Sequence, residues 1–244
     1  MPAGLRSRRA RRHDERVWPR DADALIARQR ELADATPPAW RPAGSEVCVG
    51  GCWVCFPRGY AGPGRAGDPA WSAAVVLCDG RPVETRVTKG AAGAAYVPGL
   101  LALRIGPLLD EAVRTLTRTP DVLLVDATGR DHPRRAGLAF QLGAELDLPT
   151  VGVTHRPLRA EGRWPADVHG ATSPLRIGDE VVARWVRTRA GTRPLVVHPG
   201  WRVDLNTAVA VVVGSSSRRR TPEPLRLARH DARAARSRAG TAVI

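Results

Sequence analysis

The stretch that decides the fold is DVLLVDATGRDHPRRAGLA, residues 121–139. Its first part, Asp121 to Val125, is a continuous apolar run, which predicts a strand buried on both faces. Residues 134–146 carry apolar side chains at helical spacing, and residues 150–153 form a second short apolar run. A strand, a helix and a strand in succession predict an α/β domain.

The elements outside this unit complete the predicted sheet. Asp79-Gly80 joins two apolar runs and is a strong β-hairpin signal, and Gly106-Pro107 predicts a kink or a restart in a helix. Strands in a meander, followed by strand–helix–strand, favour a single α/β domain with a mixed sheet flanked by helices. The other predictions are helices at 21–35, 100–116 and 205–213, strands at 46–56, 71–78, 82–87, 180–187 and 194–197, and a loop over 157–173.

The net charge of the 244-residue chain is +14, and it is unevenly distributed. Residues 1–20 carry +5 and residues 217–244 carry +6, which leaves +3 for residues 21–216. We therefore expect a disordered basic tail over 1–20, a domain over 21–230, and a basic tail over 231–244. Such ends suit phosphate contact by counterion release; the alternative is solvated termini without a specific partner.

Composition narrows the class of protein further. Hydrophobic residues make up 43% of the chain, which argues against global disorder. No apolar run has the length of a membrane span or of a signal peptide. Four cysteines do not suggest a disulfide scaffold. These features predict a cytoplasmic protein that does not bind membranes. We also expect a monomer, which composition does not determine.

Several segments resemble the endonuclease V family. Its patterns Y-[IV]-P-G-L-L-A-F-R-E-G-P, P-D-L-L-L-V-D-G-H-G-I-A-H-P-R-R-x-G-L-A, L-P-T-I-G-V-A-K-K and S-P-G-H-R-I-D-L are similar to residues 96–104, 121–139, 148–153 and 198–205. The resemblance implies a ribonuclease-H-like fold. It also implies Mg²⁺-dependent cleavage of a phosphodiester near deaminated bases, chiefly inosine, in DNA or RNA.

The resemblance further implies a set of metal-binding carboxylates, because Mg²⁺ prefers oxygen ligands. The family has one on the first strand, one on the helix after a wedge loop, and one at the end of the next strand. Here the first two positions are Trp53 and Ile105, and only Asp126 keeps a carboxylate. His132 is retained, and His155 replaces the assisting lysine. By resemblance, Asp126 is the residual metal ligand, and Asp126, His132 and His155 are the residual catalytic residues.

The lost carboxylates predict a family member that binds nucleic acid, with inosine sites as the expected target, and that cleaves poorly with Mg²⁺. One alternative is an active metal-dependent repair endonuclease with a rebuilt site, for which Asp131 is the best rescue candidate. A replacement site of softer ligands would combine Cys55, Asp126, His132 and His155. Another alternative is a non-catalytic interaction module that retains only the fold.

The wedge loop is the predicted nucleic-acid contact. By resemblance, Tyr96, Val97, Pro98 and Gly99 insert at a lesion, where an aromatic ring can stack on a base; the alternative is an ordinary loop aromatic. We also expect phosphate contacts from the following group near the start of a helix: Gly129, Arg134 and Arg135.

Three cysteines lie within the predicted strand at 46–56, and their spacing needs an interpretation. Cys48, Cys52 and Cys55 have the spacing of an iron–sulfur motif, but they lie inside a predicted strand. Alternation along a strand would put Cys55 on the face opposite the other two. We therefore interpret them as small buried hydrophobic residues.

Overall fold

The computed structural model describes residues 18–42, 44, 46–59, 62–217 and 219–241. Over these residues a mixed sheet of eight strands, in the order β3-β2-β1-β4-β5-β8-β7-β6, is flanked by five helices. The helices are α1 Ala22–Ala33, α2 Leu101–Arg114, α3 Leu138–Leu146, α4 Leu205–Gly214 and α5 Glu223–Thr241. The strands are β1 Cys48–Cys55, β2 Pro69–Cys78, β3 Arg81–Ala91, β4 Val122–Val125, β5 Thr150–Thr154, β6 Thr172–Ile177, β7 Glu180–Val186 and β8 Leu195–Pro199.

The centre of the sheet is parallel, and this confirms the α/β mixed sheet. β4 pairs in parallel with β1 on one side and β5 on the other, whereas the outer pairs are antiparallel. Leu123 and Val125 pack with α1, α2 and α3 on one face, and Val122 and Leu124 pack with α4 and α5 on the other. A strand covered by helices on both faces must be apolar throughout, as the sequence predicted.

The predicted hairpin at Asp79-Gly80 is confirmed. Both residues have positive φ, 50° and 72°. This is the backbone that a two-residue turn needs to match the twist of β2 and β3.

Two local predictions were wrong at their boundaries. The predicted helix at 134–146 begins only at Leu138, because Arg135 is left-handed, with φ 59°, and Gly137 is extended. The predicted loop over 157–173 ends earlier than expected, since β6 begins at Thr172. Pro174 lies within β6 and weakens the sequence signal, but proline is tolerated there because β6 is an edge strand.

The predicted basic tail over 231–244 also needs correction, because α5 continues to Thr241. Ala228 and Ala232, one helical turn apart, are fully buried against β1 and β2. The small side chains bring this face of the helix onto the sheet, so the arginines of α5 are held in place. The predicted tail over 1–20 lies outside the described residues up to residue 17, as do Arg218 and residues 242–244.

The cysteine interpretation is correct for two residues and wrong for a third. Cys52 and Cys55 are buried thiols on opposite faces of β1. Cys48 instead forms a disulfide with Cys78, which lies directly opposite it in the β1–β2 register. The pairing brings together residues 30 positions apart in the sequence, which spacing alone did not indicate. No helix among the described residues is long and apolar enough to cross a bilayer.

Candidate active site

The parallel pairing of β1 with β4 brings the two strand ends together. Cys52 is level with Val125, so the next residues, Trp53 and Asp126, lie side by side. Both line a cavity of about 370 Å³ that also includes Ile105 of α2 and Tyr96 of the wedge loop. The three positions at which the resemblance implies carboxylates therefore converge on one pocket.

Asp126 is the acidic side chain of this pocket. Burial raises the pKa of its carboxyl group to about 6, and the nearby Arg229 offsets part of this effect. No hydrogen bond or ion pair to Asp126 is found within the described part of the chain. The group is thus a half-buried carboxylate without a direct partner.

Trp53 and Ile105 serve as packing residues. Trp53 lies between β1 and α5, against Ala228 and Ala232. Ile105 is buried with Cys52 on the opposite face of the sheet. Each apolar side chain fills space where a carboxylate would have to be solvated or bound to a cation.

The donor set does not fit a magnesium centre. Mg²⁺ favours octahedral oxygen coordination, usually with carboxylates that converge on the ion. In this pocket Trp53 and Ile105 contribute no oxygen, and Asp126 contributes one carboxylate. Over the described ranges, no group of three or more His, Cys, Asp or Glu side chains could hold a metal ion.

His132 supports the wedge loop. Its Nδ1 accepts the backbone N–H of Arg134 at 3.2 Å, so we assign the proton to Nε2, which donates to the carbonyl of Gly99 at 3.2 Å. Burial, reinforced by the charge of Arg134, lowers the pKa of His132 to about 4, so the ring is neutral at pH 7. The same carbonyl accepts from Gln29 at 3.1 Å and from Arg134 at 2.7 Å. These three donors fix the base of the wedge.

The tip of the wedge is open to solvent. Tyr96 and Val97 are each 46% exposed, and Pro98 is exposed as well. The backbone N–H of Tyr96 donates to the carbonyl of Pro63 at 2.8 Å, which anchors the loop. A fixed base and an exposed aromatic ring provide a surface on which a base can stack.

His155 lies beside Asp126, whereas His132 does not. A small crevice on the α5 side of the sheet is lined by Trp53, Asp126, His155 and Arg229. Burial and two nearby arginines, Arg220 and Arg229, lower the pKa of His155. Of the two histidines predicted for the site, the structure brings only His155 close to the carboxylate.

The proposed rescue acid, Asp131, is fully buried and already engaged. Its carboxylate accepts the backbone N–H groups of Leu158, Arg159 and Ala160 at 2.7, 2.7 and 2.8 Å. The prediction that it could replace a metal ligand is therefore not supported, because its oxygens hold the loop after β5.

The predicted replacement metal site of Cys55, Asp126, His132 and His155 is not formed among the described residues. Cys55 lies under α5 with Ala232, and His132 lies at Gly99, so neither joins Asp126 and His155. Strand alternation and the wedge contact separate these side chains.

The residues predicted to contact phosphate have contacts within the protein. Arg134 donates to Gln29 and Gly99, and Arg135 donates to Glu180 of β7. Gly129 is buried, and a Cβ there would overlap the carbonyl of Pro199. Arg134 and Arg135 thus have partners within the protein, and phosphate contacts from these residues stay a prediction.

Sequence reasoning missed Arg229. It was counted only in the basic charge of residues 217–244, but α5 directs it towards Trp53 and Asp126. The available signal was the spacing of Arg226, Arg229, Arg233 and Arg236, which recurs at helical intervals.

Comparison with known proteins identifies relatives with this architecture. The family model described as Endonuclease V matches residues 49–230. Endonuclease V of Roseiflexus castenholzii is 40% identical over 167 residues, covering 68% of this chain and 75% of that protein.

Solved structures give the same result. Endonuclease V from Streptomyces avermitilis superposes with a TM-score of 0.79 at 32% identity, covering 91% of this chain and 96% of the other. This confirms the predicted ribonuclease-H-like fold. Ciona intestinalis endonuclease V, in complex with a 24mer DNA containing an inosine followed by a ribo-adenosine, shares the fold with a TM-score of 0.74 at 23% identity; the match covers 89% of this chain and 98% of the other.

Proposed function

Because the chain belongs to the endonuclease V family, we propose that it binds nucleic acid at deaminated bases, inosine in particular, and that its Mg²⁺-dependent cleavage is impaired. The ligand class is taken from the inosine-containing DNA bound by the Ciona relative. Recognition depends on the wedge loop, and the residual chemistry depends on Asp126 with His155.

The observation that carries this proposal is the composition of the pocket. Trp53 and Ile105 line it beside Asp126 and supply no oxygen. Family members are metal-dependent nucleases, and a single carboxylate gives a weak Mg²⁺ site unless substrate phosphate supplies the other ligands. The wedge, in contrast, retains its aromatic tip and its hydrogen-bonded base.

The cleavage test uses single- and double-stranded oligonucleotides with one inosine and matched strands with adenosine. We expect no specific nicking with Mg²⁺, Mn²⁺ or Zn²⁺, under conditions in which an active family member cleaves fully. Reproducible nicking near inosine that is abolished by Asp126→Ala would overturn the proposal that cleavage is impaired and establish the alternative, a working enzyme.

A restoration experiment asks whether the pocket alone limits cleavage. Trp53→Asp combined with Ile105→Glu returns carboxylates to two of the lining positions. We expect divalent cations to raise the melting temperature of this variant more than that of the original protein, and inosine-directed nicking to appear. Trp53→Asn combined with Ile105→Gln is the uncharged control.

A binding test separates this proposal from an interaction module that retains only the fold. We expect a preference for inosine-containing strands that Tyr96→Ala removes, with Tyr96→Phe retaining the stacking surface. Equal binding of inosine and adenosine strands by the original protein would refute recognition through the wedge. DNA and RNA strands are compared in parallel. A monomeric state and a cytoplasmic location remain predictions, which light scattering and cell imaging can check.

A further inference from the structure

The outer face of α5 carries an open groove of about 420 Å³. Its lining is strongly basic and comes from α5 and the turn before it. Four arginines line it: Arg219, Arg226, Arg229 and Arg233.

Arg229 connects this groove with the pocket beneath α5. It lines the groove on one side and the crevice with Trp53 and Asp126 on the other. Its guanidinium carbon lies 5.6 Å from the centre of the Trp53 ring. The cation thus lies beside the remaining carboxylate, on the face of the sheet where Trp53 has replaced the implied first-strand acid.

The arginines of α5 differ in their partners. Arg226 is paired with Glu223, and Arg236 donates to the carbonyl of Phe56 at 3.0 Å. The guanidinium groups of Arg219, Arg229 and Arg233 make no hydrogen bond or ion pair within the described part of the chain. Guanidinium groups that cluster without direct ion pairs repel one another, and a bound anion would relieve that repulsion.

We propose that this groove holds a phosphodiester of the bound nucleic-acid strand, with Arg229 and Arg233 as the principal donors and without any divalent cation. The inference rests on the proposed function and adds a second contact surface to the wedge. Arginine suits this ligand because its planar fork can donate two hydrogen bonds to one phosphate. The positive charge that the implied metal would supply comes instead from Arg229.

The test measures fluorescence-anisotropy binding of a labelled single-stranded inosine oligonucleotide at several salt concentrations, in EDTA and in Mg²⁺ at equal ionic strength. The variants are Arg229→Gln, Arg233→Gln and their combination. Arg176→Gln, on the opposite edge strand β6, is the matched control. Circular dichroism and thermal melting establish that each variant is folded.

We expect binding to persist in EDTA. Each phosphate contact on a single strand adds about 0.7 to the magnitude of the negative slope of log affinity against log salt concentration. Each substitution on α5 should therefore make this slope less steep by about that amount. Arg176→Gln should leave it unchanged. A requirement for Mg²⁺, or slopes for the α5 variants equal to that of Arg176→Gln, would overturn the inference.

The outcomes also separate this inference from the proposed function. If the inosine preference depends on Tyr96 but substitution of Arg229 and Arg233 has no effect, the phosphate site in the groove is refuted and the proposed function stands. Binding that depends on Arg229 or Arg233 but shows no preference for inosine would refute the proposed function and leave the phosphate site in the groove standing. Absence of strand binding by the original protein would refute both.

Discussion

Asp126→Asn should stabilise the protein at neutral pH. The carboxyl group has a pKa of about 6 in the folded chain, raised mainly by burial, against about 4 in an unfolded chain. The folded state therefore binds the proton more tightly, and ionisation of Asp126 weakens the fold as the pH rises. The stability present below pH 4 is lost progressively up to about pH 6.

The expected magnitude follows from the difference in pKa. About two pKa units at about 1.4 kcal/mol each give an upper value of about 3 kcal/mol. Partial solvent access reduces this, so we expect Asp126→Asn to add about 1–2 kcal/mol at pH 7 and nearly nothing at pH 4. Burial lowers the pKa of both His132 and His198 to about 4, so these histidines make the fold more stable as the pH rises. This effect is the same in the original protein and in Asp126→Asn. The difference in stability between the two proteins therefore reports on Asp126 alone.

The assay is urea unfolding of both proteins at intervals between pH 4 and pH 8. Asp204→Asn is a control of opposite sign: burial raises the pKa of Asp204, but hydrogen bonds from Thr207 and the ion pair with Arg41 lower it to about 2. That variant should lose stability at pH 7. Equal stability of Asp126→Asn and the original protein from pH 4 to pH 8 would refute an unsatisfied carboxylate at this position.

Two further substitutions test the supports of the site. Asp131→Ala should cost about 3–5 kcal/mol in urea unfolding, because three backbone N–H groups lose their acceptor at a buried position; a cost below 1 kcal/mol would mean that other contacts hold the loop after β5. Gly51→Ala should cost about 1–3 kcal/mol, because its Cβ would lie 2.5 Å from the backbone carbon of Pro224 at the start of α5. Gly214→Ala, with nothing within 4 Å of the new methyl group, is the control and should be neutral or slightly stabilising; equal losses for the two glycine variants would argue against close packing of α5 on β1.

The sequence by itself determined the features that repeat over short distances. Alternation along β1 placed Cys52 and Cys55 on opposite faces, and Asp79-Gly80 specified the hairpin. The replacement of two implied carboxylates by Trp53 and Ile105 was also readable directly, since a side chain without oxygen cannot bind Mg²⁺ at any geometry.

Only the tertiary structure decided the partners of the charged groups. Asp131 and His132 are neighbours in sequence, yet one holds the loop after β5 and the other holds Gly99 of the wedge. Arg229 was counted only in the basic charge of residues 217–244, and in the structure it lies beside Asp126. The physical reason is that local periodicity fixes the direction of a side chain, whereas its partner is set by which distant elements pack together. Burial makes the identity of that partner important, because a charge that is removed from water destabilises the fold unless it is paired.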